Sequence, residues 1–131
     1  MDKATLRQYR AILREIAHLE EEKRRVLDGL LAPPSGDGTP RGSGEHDRIG
    51  SAVARRDKYQ RMIDRKLDKL IALRREIESA VAALPPKDRY LIRLRYIDGL
   101  RWEDVAAELH YGYQWTLTLH GRILQRMEKK R

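Results

Sequence analysis

The stretch LRYIDGLRWEDVAAELHYGYQWTLTLHGRIL, residues 94–124, decides the fold. Just upstream, Pro85-Pro86 stops whatever helix precedes it, and proline suits the first turn of a new one. A short helix is therefore expected from Pro86 to about Asp98, with Tyr90, Leu91, Leu94 and Ile97 as its apolar stripe. Gly99 is a natural C-terminal stop. A second helix is expected from Trp102 to Leu109. Glu103 and Asp104 in its first turn favour the helix dipole, and Val105, Ala106 and Leu109 form the face to be buried. His110-Tyr111-Gly112 makes a tight turn. A third helix runs from about Tyr113 to Lys129 with Thr116, Leu119, His120, Ile123, Leu124 and Met127 available to face inward. A short helix, a tight turn and a longer helix make a helix-turn-helix.

In such a unit the second helix enters the major groove and its first turns touch base edges. Those residues here are Tyr113, Gln114, Leu117 and Thr118. Glutamine pairs in bidentate fashion with adenine, and threonine or leucine meets a thymine methyl. Arg101, Arg122, Arg126 and Lys129 surround the helix and are expected to neutralise phosphates. Trp102 and Trp115 read as core residues, and His120 as a hydrogen-bonded core histidine.

Upstream, residues 48–84 carry a long helical pattern. Positions 49, 53, 56, 60, 63, 67, 70, 74, 77, 81 and 84 step by four and three, and eight of these eleven are apolar. That is a coiled-coil seam with polar interruptions at Arg56, Gln60 and Arg74. A helix this long needs a partner. Residues 1–31 supply one, with Leu6, Tyr9, Leu13, Ile16, Leu27 and Leu30 on its seam and Glu20 and Lys23 interrupting it. Between them, residues 32–47 read APPSGDGTPRGSGEHD, a flexible linker by composition. The expected fold is all-α: a long antiparallel helical hairpin over 1–84, then a three-helix unit over 85–131. With Leu31 near Arg48, Glu20 falls beside Tyr59 and Gln60, and Lys23 beside Arg56. A dimer of helices satisfies the same seams.

Composition narrows the function. The 131 residues hold 28 Lys+Arg against 20 Asp+Glu, a formal charge of +8. The positive charge sits in the last two-thirds of the chain, which points to a polyanionic partner: DNA, RNA or an acidic membrane surface, with the helix-turn-helix spacing favouring double-stranded DNA. Cysteine is absent, which excludes disulfides, thiol nucleophiles and cysteine zinc sites. The four histidines lack metal-ligand spacing, and the acidic residues form no catalytic pair. The Gly-rich segment lacks the G-K-[ST] of a phosphate loop. No enzyme activity, cofactor or metal is expected. The longest apolar run, Ala80 to Leu84, is far too short for a membrane span, and MDKATLRQYR carries no hydrophobic leader. A cytoplasmic protein is expected.

The stretch resembles the region-four helix-turn-helix of sigma-70-type factors and, more closely, short phage and prophage proteins that carry this unit behind a helical N-terminal half. Leu94, Arg95, Tyr96, Gly99, Trp102, Glu103, Asp104, Val105, Ala106, Leu109, Tyr111, Trp115, Leu119, His120, Gly121, Arg122 and Leu124 carry the likeness. It departs from the family pattern at His110, where the turn has a glycine, at Gly112, where a serine caps the third helix, and at Thr118, where a basic residue stands. The resemblance implies DNA binding and sequence-specific transcription control of a phage or prophage operon. RNA polymerase is a second partner it allows, and the helical half leaves room for a homo-oligomer. Two other functions stay open: a phage packaging or assembly adaptor of the small-terminase kind, and a module that binds polymerase alone.

Overall fold

The structure, a computed structural model, describes residues 1–31 and 42–129. Five α-helices and one π-helical turn follow in order: α1 (Lys3–Leu31), α2 (Gly42–Val81), α3 (Pro86–Ile92), the π turn (Arg93–Ile97), α4 (Trp102–Leu109) and α5 (Tyr113–Lys129). No strand occurs among the described residues. The all-α expectation holds. α2 starts at Gly42 and so takes in residues 42–47, which composition alone assigns to the linker. Residues 32–41 of that linker lie outside the described residues.

Local chemistry sets the helix ends. Asp2 caps α1: its Oδ1 accepts from the Thr5 amide at 2.8 Å and from the Thr5 hydroxyl at 2.6 Å. α2 ends at Val81, four residues before the two prolines. Pro86 then opens α3, where its missing N–H costs nothing. The expected helix from Pro86 to Asp98 is present, but its second half widens into the π turn, closed by the Asp98 amide on the Arg93 carbonyl at 2.9 Å. Tyr90 leaves the expected stripe and is exposed; Ile92 and Tyr96 are buried instead.

The chain forms two compact units. The first comprises Met1–Leu13 and Leu70–Arg131. Its core joins Leu6 and Tyr9 of α1, Leu73, Ile77 and Val81 of α2, Leu91 and Ile92 of α3, Val105 and Leu109 of α4, and Ile123 and Met127 of α5. Arg10 of α1 also reaches the end of the π turn. Its Nη1 donates to the Ile97 carbonyl at 3.1 Å. Its guanidinium lies where a Cβ on Gly99 would stand, 2.5 Å away, and Gly99 has φ +73°. The backbone angle favours glycine here, and its missing side chain leaves the space that the flexible Arg10 side chain fills.

The second unit, Arg14–Lys69, is an antiparallel pair of helix segments. Glu15 pairs with Lys66, Lys23 Nζ donates to Gln60 Oε1 at 2.8 Å, and Arg48 Nη1 donates to the Gly29 carbonyl at 3.3 Å. These pairs straddle the expected register, Glu15–Lys66 to one side of it and Gly29–Arg48 to the other. Lys23 meets Gln60, one helical turn along from Arg56. The reason is chemical: Lys23 beside Arg56 would set like charges together, whereas the Gln60 carbonyl accepts the ammonium. The seam is corrected. Ala52 and Ile63 are buried, but Ile49, Val53 and Leu67 are exposed. A strict 3.5-residue pattern drifts by about 20° per heptad on a 3.6-residue helix, so one seam cannot stay on one face.

Candidate nucleic-acid interface

α4 and α5 are joined by a turn whose geometry is explicit. The Tyr111 amide donates to the Ala106 carbonyl at 3.0 Å and the His110 amide to the Ala107 carbonyl at 3.2 Å, the paired bonds of a Schellman cap. This places His110 in the left-handed region at φ 58°, ψ 36°, the position where glycine is favoured. The Gly112 carbonyl then accepts the Thr116 amide at 3.0 Å and the Thr116 hydroxyl at 2.9 Å, starting α5. Arg101 occupies the cap position of α4 without a side-chain cap bond. Ala106, buried, lets the two helices approach.

α5 buries Thr116, His120, Ile123 and Met127, while Leu119 and Leu124 are partly buried against the core, as expected. His120 Nε2 lies 2.6 Å from the Tyr96 hydroxyl, and its ring is 4.5 Å from that of Trp102. Burial, with Lys3, Arg95 and Arg7 nearby, lowers its pKa to about 4, so it is neutral at pH 7. Trp102 lies partly buried under the Arg95 guanidinium at 4.7 Å. It packs against the core as the sequence implied.

The opposite face of α5 is the candidate interface. Helical steps of four and seven align Gln114, Thr118, Arg122, Gln125 and Lys129, all exposed. Gly121 lies on the same side, and no atom lies within 4 Å of where its Cβ would be. Of the four expected base-contacting residues, Gln114 and Thr118 share this face. Leu117 is half-buried on its flank, and Tyr113 borders a shallow groove with Glu103, Ala106, Ala107 and Tyr111. The Thr118 hydroxyl donates to the Gln114 carbonyl at 3.0 Å. Its proton is committed to the helix, which leaves its methyl and lone pairs for a ligand.

The expected phosphate contacts divide. Arg122 and Lys129 lie on the outward face. Arg126 Nη2 donates to Asp88 Oδ2 at 2.7 Å, so its charge is paired with a buried carboxylate. Arg101 stands at the cap of α4, 3.3 Å from Asp104.

The structure corrects one tryptophan. Trp115 is 44% exposed, with the Arg122 guanidinium stacked on its ring at 5.2 Å. Sequence reasoning missed Trp115 and Gln125 as surface candidates. The seven-residue step from Trp115 to Arg122 was the available signal, since it puts the ring beside a solvated charge.

Among the described residues, no three His, Asp or Glu side chains gather to hold a metal, and no helix is long and apolar enough to cross a membrane. Residues 74–111 match the family model of sigma-70, region 4. The C-terminal helices form a sigma-70 region 4-like helix-turn-helix. The match spans the end of α2, α3, the π turn, α4 and the Schellman turn, and stops two residues before α5. No curated protein and no solved structure matches the chain. A region 4-like unit is a DNA-binding element with a general regulatory role. α5 follows the turn directly and presents a solvated polar face.

Proposed function

We propose that the chain is a sequence-specific, DNA-binding transcriptional regulator of phage or prophage type, working in the cytoplasm on double-stranded DNA. In this reading residues 85–131 are the DNA-binding unit and residues 1–84 its helical hairpin. The observation that carries the reading is the outward face of α5: two side-chain amides, a threonine methyl and two cations in one row. Gln114 and Gln125 offer the paired donor and acceptor that adenine needs, and Thr118 offers its methyl to thymine. Arg122 and Lys129 hold the backbone. Arg126, half-exposed and paired with Asp88, is the weakest phosphate contact of the three on α5. RNA polymerase is a second partner of the same unit.

Selection of bound DNA from a random pool tests this, and a defined site is expected. On that site Gln114→Ala loses about 1–3 kcal/mol and relaxes discrimination. Arg122→Ala weakens all sequences equally and lowers the salt slope by about one. An equal loss on selected and random DNA with Gln114→Ala would overturn base reading. No effect from either variant would turn the exposed Tyr113 and Trp115 toward a protein partner.

A further inference from the structure

The outer strip of α2 has the same chemistry read in either direction. Ile49, Val53, Leu67 and Ile71 are 44%, 38%, 37% and 51% exposed, large apolar side chains left in water. At about 100° per residue all four fall within a strip roughly 40° wide. This strip is distinct from the side that buries Ala52 and Ile63. Gln60 stands at its midpoint, seven residues from Val53 and from Leu67 and eleven from Ile49 and from Ile71. Arg56 and Asp64 flank it, four residues to either side.

Laid antiparallel on its own copy, the strip matches itself. Ile49 meets Ile71 of the second copy, Val53 meets Leu67, and Gln60 meets its equivalent. Arg56 meets Asp64 of the second copy, and the two-fold repeats that ion pair on the other side. Laid parallel, the same strip would set Arg56 on Arg56 and Asp64 on Asp64. We propose that this strip joins two copies of the chain, packed antiparallel about a two-fold axis at Gln60. Such a contact is isologous: each residue's partner is also partnered by it. The apolar contacts lie along ~33 Å of helix, with the polar centre fixing register, as a single buried polar pair does in helical assemblies. Gln60 already accepts from Lys23 and donates to Asp64 at 2.9 Å. Its amide keeps a second donor hydrogen and a second lone pair for its equivalent. Among the described residues Arg56 pairs with its exposed neighbour Asp57, at 3.1 Å, and its guanidinium keeps further donors.

The full-length chain tests this directly, because it has no cysteine and each introduced thiol is unique. Gln60→Cys is expected to form a disulfide-linked dimer on mild oxidation. Val53→Cys alone is expected to stay uncrosslinked, and Val53→Cys mixed with Leu67→Cys to crosslink. In equilibrium sedimentation the wild type is expected at twice its 15.4 kDa mass. Arg56→Asp should raise the dimer dissociation constant by roughly tenfold or more, since the two-fold counts the change twice. Adding Asp64→Arg should restore it, with helicity by circular dichroism the same throughout. A wild-type monomer even at ~100 μM, in the range of weak association, would overturn the proposal. So would crosslinking of Val53→Cys to itself as readily as Gln60→Cys, or a charge swap that fails to restore the dimer.

Discussion

The two compact units are built from the same two long helices and are held in different ways. Met1–Leu13 with Leu70–Arg131 wraps five helices around one apolar cluster, with Leu6, Ile77, Leu91, Ile92, Val105 and Ile123 closed to solvent. In Arg14–Lys69 the buried apolar side chains among the described residues are Leu19, Ala52 and Ile63. Polar pairs also join its two helices, as in Glu15 with Lys66 and Lys23 with Gln60. Two helices cannot enclose a core, because each has one neighbour and leaves most of its surface wet. Stability is therefore concentrated where α3, α4 and α5 close over the helix ends, and exposed ion pairs add little elsewhere.

The sharpest break in that contrast is Leu91→Ala. A fully enclosed leucine truncated to alanine is expected to cost about 2–5 kcal/mol, read by chemical denaturation of the whole chain. Hydrogen exchange should then show the Arg14–Lys69 amides opening first in wild type and the α3, α4 and α5 amides last.

Acid should strike the same core. The His120 pKa is lowered from 6.5 to about 4, so the folded state binds fewer protons than the unfolded chain between those values. The stabilisation is complete above pH 6.5 and is lost as pH falls toward 4. The lowered carboxylates Glu15, Glu21 and Glu78 start from 4.5 and lose their contribution only below that value. A thermal midpoint that declines between pH 6.5 and 4.5, flattened by His120→Gln, is expected. An equal slope in that variant would assign the acid loss to other groups.

A smaller gain should come from His110→Gly. The left-handed backbone at φ 58° penalises a side chain, so glycine is expected to stabilise by about 1 kcal/mol, visible as a raised thermal midpoint. The smallest effect is expected from Lys66→Ala. It removes the Glu15 pair from an exposed surface and should leave the global midpoint unchanged. A measurable drop there would show that the charged pair of helices carries more of the fold than its burial implies.

Much of the candidate interface was legible in the sequence. Val105, Ala106 and Leu109 on α4, and Thr116, His120 and Ile123 on α5, follow from helical spacing alone. Gln114 and Thr118 follow as the opposite side. Trp115 and Arg126 did not follow, and for opposite reasons. An aromatic ring has an apolar body but is held outside by its heptad step to Arg122. A cation on the helix surface is claimed by Asp88, 38 residues away in sequence.

That division has a physical origin. Helix starts and stops, the left-handed turn at Gly99 and the helix-turn-helix spacing depend on backbone sterics, caps and side-chain period, which act over a few residues and are written locally. Arg10 filling the space beside Gly99, the first thirteen residues joining the C-terminal core, the π turn, and the split of one α2 seam into an inner and an outer strip depend on segments distant in sequence. Hydrophobic burial is non-directional. A half-apolar helix accepts cover on more than one face, and only the helices that arrive in space decide which face is covered.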